Sequence, residues 1–223
     1  MGILDDDLVK AQIEEFMKNR AVCKRDASYD FCYLYFQRNK GHLADPNMEY
    51  SCMQLWSYLA SWGMLRGSSP LFWRSPAALK PLILYFDELC NSPIWNIDVD
   101  SYTEENIKEI LHVYARIVQI LQAKEIMDTD PSITLVTKIM LGVFGCVPAV
   151  DHYFFKTFHT IYGGFRILGE KELTNLEHFY LAHKETIDNI QVPVLDFDGQ
   201  TTELIYKKAK LIDMYGFQNS KED

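Results

Sequence analysis

The sequence has no apolar run approaching the ~20 residues a helix needs to span a bilayer, and no secretory leader pattern opens it. Both absences point to a soluble, cytoplasmic chain. Its five cysteines, Cys23, Cys32, Cys52, Cys90 and Cys146, are odd in number and widely spaced, without a CxxC pair. That excludes a secreted disulfide framework and fits reduced thiols. Met1-Gly2 suggests an acylation signal, but Asp6 stands where Ser or Thr is needed.

Phosphate-binding loops of the GxxxxGK[ST] and GxGxxG types are missing, as is the GxSxG elbow of many hydrolases. Metal-ligand spacing is missing too. His152 and His159 share a helical face, but two turns set them roughly 10 Å apart along the axis, too far for one ion. Neither a metal nor a cofactor is expected. An excess of positive charge is also lacking: the net charge is −9 and the pI near 5.1, which argues against unspecific nucleic-acid binding. Two local basic groups remain, Lys18, Arg20, Lys24 and Arg25, then Arg66, Arg74 and Lys80, and both read first as solvated helix ends.

What is present is a core former. Apolar residues make up 48% of the chain and charged ones 24%, with thirteen Tyr, thirteen Phe and four Trp supplying bulk. No repeat or low-complexity linker divides the chain. It reads as one compact domain over 1–223, with two helical lobes, about 1–95 and 96–223, as the finer possibility.

Hydrophobic spacing at three and four residues predicts helices over 4–20, 28–39, 46–66, 75–90, 103–123 and 170–190. Ser101-Tyr-Thr-Glu104 has the form of a capping box. Residues 191–199 predict at most a short extended piece closing at Asp198-Gly199, and Thr201 or Thr202 then caps a last helix to about Tyr215. The fold class is all-α, with about eight helices and an aromatic-rich core.

The chain is organised around Thr134 to Tyr153, TLVTKIMLGVFGCVPAVDHY. It sets Lys138 in an otherwise apolar helix, turns through Gly142, Gly145 and Pro148, and reaches Asp151 at the start of the next helix. A lysine in such a helix must snorkel, pair or work. Desolvation by Leu135, Ile139 and Met140 lowers a lysine pKa and makes the amine nucleophilic, while a carboxylate at a helix start stays ionised. A structural ion pair between neighbouring helices is the competing reading. Cys146, just before a helix start, is a weaker nucleophile candidate, set against a buried structural thiol.

Thr137-Lys138 followed by Val147-Pro148-Ala149-Val150-Asp151-His152 resembles the catalytic segment of helix-hairpin-helix DNA glycosylases over about residues 130–160. The resemblance implies Lys138 as a Schiff-base nucleophile, Asp151 as the carboxylate acting at the sugar, and DNA as partner. Asp130-Pro-Ser-Ile-Thr134 stands where that family carries a Leu-Pro-Gly-x-Gly turn, and the lysine-to-aspartate spacing is shorter.

Nearly the whole chain is similar to a group of uncharacterised bacterial helical proteins of about this length. The likeness rests on YLASWGMLRGSS (Tyr58 to Ser69), IDVDSYTEENI (Ile97 to Ile107), Leu135 to Asp151 and AKLIDMYGF (Ala209 to Phe217). It implies a helical domain without an established activity, and offers Trp62, Arg66, Ser68 and Ser69, with His152, as residues lining one substrate cleft with Lys138.

Two classes stay open. One is a glycosylase- or lyase-like enzyme, with Trp56 or Trp62 receiving an extruded base. The other is a non-catalytic helical module holding a protein or small ligand in an aromatic groove. Whether Lys138 and Asp151 share an accessible cleft separates them.

Overall fold

The structure, a computed structural model, describes residues 5–220. Among these, ten helices and one two-stranded hairpin make an all-α architecture: α1 (Asp6–Lys18), α2 (Ser28–Arg38), α3 (Met48–Ser61), α4 (Lys80–Glu88), α5 (Glu104–Leu121), α6 (Ile133–Phe144), α7 (His152–Tyr162), α8 (Glu170–Ala182), α9 (Lys184–Asp188) and α10 (Lys208–Asn219). None of them is long and apolar enough to cross a membrane.

Two helices carry the core. Every α6 residue from Leu135 to Phe144 is buried, as is every α10 residue from Ala209 to Gln218. A helix apolar on all sides must be covered on all sides. Accordingly α2, α3 and α5 surround α6, while α1, α7 and α9 pack on α10. One buried cluster runs from Val9 to Phe217, and the chain's first described helix lies along its last.

Local chemistry sets the boundaries. Ser132 Oγ accepts the Leu135 N–H and starts α6, and Asp151 Oδ1 accepts the Tyr153 and Phe154 N–H groups and starts α7. At α5 the side-chain cap is Thr103, which accepts from the Asn106 N–H. Ser101 instead closes a capping box on Asp98 in the turn before it.

Gly145, at φ +67°, ends α6 in the left-handed region. Gly142 takes no part in that turn: it lies inside α6, where a Cβ would come within 2.5 Å of the Tyr58 ring. Its missing side chain lets α3 and α6 meet.

Four predicted boundaries are corrected. The helix expected to run to Arg66 stops at Ser61, because Gly63 sits at φ +76° and turns the chain away. The 75–90 helix begins and ends in 3-10 turns, with the α-helical part at Lys80–Glu88. The 170–190 helix splits at His183, whose backbone leaves the helical region and separates α8 from α9.

Thr201 and Thr202 cap no helix. They open strand β2 (Thr201–Ile205), which pairs antiparallel with β1 (Pro193–Leu195) across the Asp198-Gly199 turn. The β-branched Thr201-Thr202 pair beyond Asp-Gly favours a hairpin, and α10 starts only at Lys208.

Candidate functional site

The end of α3, the starts of α6 and α7, and the middle of α10 meet around a buried group of charges. Lys138 sits in the second turn of α6, 4% exposed. Its Nζ donates to Asp151 Oδ2 at 3.4 Å and lies 4.8 Å from the centre of the Trp62 indole. Asp151 spends its other oxygen capping α7 and keeps its side chain 16% exposed. Burial pulls the Lys138 pKa below the ordinary lysine value; Asp151 and Asp213 oppose that, and Lys210 reinforces it.

A second pair faces the first. Lys210 Nζ donates to Asp213 Oδ2 at 2.6 Å, one turn along α10. The Lys210 ammonium also lies 4.7 Å from the Tyr29 ring centre, 4.9 Å from Phe16 and 5.7 Å from the same Trp62 indole. Tyr58, Trp62, Lys138, Leu141, Ala149, Asp151, Lys210, Asp213 and Phe217 line a cavity of about 10 Å³ between the pairs, room for one water at most. The Trp62 Nε1–H is buried there without an acceptor.

The loop carrying Asp151 is tied from two sides. Thr137 Oγ1 accepts the Val150 N–H and Thr134 Oγ1 donates to the Val150 carbonyl, both from α6. Asp213 Oδ1 accepts the Ala149 N–H from α10. The carboxylate is therefore held by hydrogen bonds from its loop's backbone to α6 and α10, and the amine by packing and its bond to Asp151.

An aromatic wall separates this cavity from a shallow surface pocket of about 250 Å³ lined by Phe16, Asn19, Lys24, Arg25, Asp26, Phe217 and Gln218. Phe217 borders both spaces. The Arg25 guanidinium stacks 4.6 Å from the Trp62 indole centre, and the part-exposed Tyr153 packs edge-on to Phe217 at 5.0 Å.

Of the sequence-predicted residues, the structure brings together Lys138, Asp151 and Trp62. Arg66, Ser68, Ser69 and His152 do not line the cavity. Arg66 and Ser68 are exposed on the turn after α3. Ser69 Oγ donates to the Met64 carbonyl and closes that turn, and the exposed His152 ring packs beside Tyr153.

Trp56 packs on the core from its partly buried position and is not a cavity residue. Cys146 is fully buried, and burial pushes its thiol up to about 12, the opposite of an activated nucleophile. Two members of the basic patches are already committed. Arg20 is buried against Asp30, and Arg74 donates to the Ile126 and Lys124 carbonyls.

Sequence reasoning missed Lys210, Asp213 and Tyr58. A signal existed for the first two: a Lys and an Asp three residues apart inside the otherwise apolar AKLIDMYGF. Compared with known protein families, curated proteins and solved structures, the chain matches none.

Proposed function

We propose that the chain is a glycosylase- or lyase-like enzyme acting on a nucleoside sugar, with Lys138 as the amine and Asp151 as the carboxylate. The observation that carries this reading is the 3.4 Å approach of Lys138 to Asp151 beside the cavity. The resemblance of residues 130–160 to a catalytic segment names the same two residues.

In this reading the neutral Lys138 amine adds to the C1′ aldehyde of an abasic sugar. Water leaves and an imine links Nζ to C1′. Asp151, the one member of the pair that reaches solvent, stabilises the positive charge developing at the sugar. Lys138 and Asp151 share no accessible cleft in this structure, since about 10 Å³ admits no sugar. The reading therefore requires that binding displace the Trp62–Phe217 wall, with Lys24 and Arg25 at the outer pocket meeting the phosphates.

The test is borohydride trapping on a duplex with an abasic site, beside Lys138→Ala. A covalent adduct formed by the wild type and lost in the variant is expected. A wild type that yields no adduct, and releases no base from a panel of damaged duplexes, overturns the proposal.

One observation favours the coarser part of the second reading, a non-catalytic module for a protein or small ligand, although the groove concerned is lined by aliphatic, Met, Cys and polar side chains and by no aromatic ring. A groove of about 550 Å³ lies between α3 and residues 75–80, lined by Pro46, Met48, Cys52, Met53 and Pro76 with Glu49 and Lys80. That volume is typical of ligand sites. Trp73, 79% exposed, stands two residues before the groove's Ser75.

A further inference from the structure

Lys210 and Asp213 have no part in the amine chemistry just described, yet they line the same cavity as Lys138 and Asp151. Asp213 bonds the Ala149 N–H, two residues before Asp151. Lys210 shares the Trp62 indole with Lys138. Their own placement is rigid. α10 is buried from Ala209 to Gln218, and a Cβ on Gly216 would come within 2.4 Å of the Phe154 ring. Lys210 is also boxed by Phe16 of α1 and Tyr29 of α2. Such a helix sets charges to fixed positions at little cost in side-chain freedom.

Resting on the Lys138–Asp151 reading, we propose that Lys210 and Asp213 are positioning residues of that centre. Asp213 fixes the Ala149–Asp151 segment from which the carboxylate is presented. Lys210 holds a second ammonium over the Trp62 indole that Lys138 also approaches, while Lys138 is the amine that reacts.

The electrostatics follow from the arrangement. Two ammonium groups in one poorly solvated pocket repel, so a charged Lys210 favours the neutral form of Lys138. The groups facing Lys138 are Asp151 at the start of α7, Lys210 and Asp213 on α10, the Tyr58 hydroxyl on α3, and Arg25 through the shared indole. Among these charges it is the buried Lys210 that pushes Lys138 toward neutrality, against Asp151 and Asp213. Pairing with Asp213 keeps that ammonium in place.

This gives opposite signs for two neighbouring substitutions. Lys210→Met removes a repelling cation and leaves Asp213 uncompensated, so Lys138 becomes more basic. Asp213→Asn keeps an oxygen to accept the Ala149 N–H and removes an attracting anion, so Lys138 becomes less basic. A pair that served packing alone would do something else. Loosening it would admit water, and both variants would drift together toward the ordinary lysine value.

The experiment is an NMR pH titration of the intact protein carrying 13Cε-lysine, with the Lys138 signal assigned by its loss in Lys138→Met. Expected are a rise in the Lys138 midpoint of about one pH unit in Lys210→Met, a fall of similar size in Asp213→Asn, and no movement in Lys210→Arg. Shifts of the same sign in the first two, or no shift in either, overturn the proposal.

Should Lys210→Met fail to fold, Asp213→Asn against Lys210→Arg still decides by the sign of the former. The titration needs no DNA, so it stands apart from the trapping assay. Opposite shifts without any adduct would retain the positioning and discard the lyase reading. An adduct without opposite shifts would do the reverse.

Discussion

Lys138 is buried and Lys207 half-buried, and in both the loss of solvent around the ammonium lowers the pKa. Lys207, at the start of α10, directs its ammonium to three backbone carbonyls, those of Trp95 at 2.7 Å, Phe144 at 2.8 Å and Ile97 at 3.0 Å. All three of its donors are used, and one acceptor is the otherwise unpaired last carbonyl of α6. Lys138 makes a single hydrogen bond, long at 3.4 Å, and faces a ring and a cavity with the rest of its ammonium.

Asp30 repeats the first pattern on the anionic side. It accepts from Arg20, the Tyr206 hydroxyl and the Leu195 N–H, and so ties α2 to the hairpin. What separates the two regions chemically is how many of the polar atoms are already satisfied. A saturated charge holds a fold together; an unsaturated one beside a cavity retains valence for something else.

The comparison is tested most severely at Lys207. Lys207→Met leaves three buried carbonyls without a donor and is expected to destabilise the fold by about 3–5 kcal/mol, a fall of ~10 °C in Tm for a chain of this size. Urea denaturation and a thermal melt read it. A loss under ~1 kcal/mol would mean that saturation does not mark a structural lysine here.

Gly142→Ala comes next. Its Cβ would lie 2.5 Å from Tyr58 Cε1, so the ring must move, at a cost of ~1–3 kcal/mol. Tyr58 also walls the cavity. The variant is therefore expected to alter the Lys138 environment, read from the same 13Cε signal, as well as lowering Tm. A Tm within 1 °C of wild type would show that α3 and α6 have slack at this crossing, and that the cavity walls are not fixed by packing.

How much of this was legible in the chain follows the range of the interactions. The α6–turn–α7 unit is local: Ser132, Gly145 and Asp151 each act on backbone within a few residues, and the Lys138–Asp151 pair spans thirteen positions of that same unit. Trp62 was legible as a residue but not as a wall. Its contacts with Lys138 on α6, Lys210 on α10 and Arg25 are all made across elements, which the local sequence does not name.

Lys210 and Asp213 arrive from the far end of the chain, and nothing in their own neighbourhood names their partners. Their placement depends on α10 packing against α1 and α7. The hairpin failed for a different reason. Thr201 and Thr202 are acceptable both as helix caps and as strand residues, and the cross-strand pairing with Pro193–Leu195 decides it.

Lys138→Met has the smallest expected effect on stability and the most specific one. The substitution removes a charge with one weak hydrogen bond. Asp151 keeps its cap on α7 and its contact with solvent, so no isolated buried charge remains, and the change at pH 7 is expected within about 1 kcal/mol of zero.

Its pH dependence carries the sign. In the folded protein the Lys138 pKa is lowered, while the unfolded chain retains a value near ~10.4. Between those two values the unfolded state binds more protons, so this lysine's contribution to stability rises with pH. The buried tyrosines Tyr29, Tyr58, Tyr102 and Tyr206, all pushed well above the ordinary value by burial, act in the other sense once unfolded tyrosines ionise near ~10. Measurements below that pH avoid them, and subtracting the variant removes Lys207, which both proteins share. The urea-derived stability of the wild type should therefore gain on that of Lys138→Met from pH 7 to pH 9.5. A flat or falling difference would show that the folded protein does not hold the Lys138 pKa below its unfolded value.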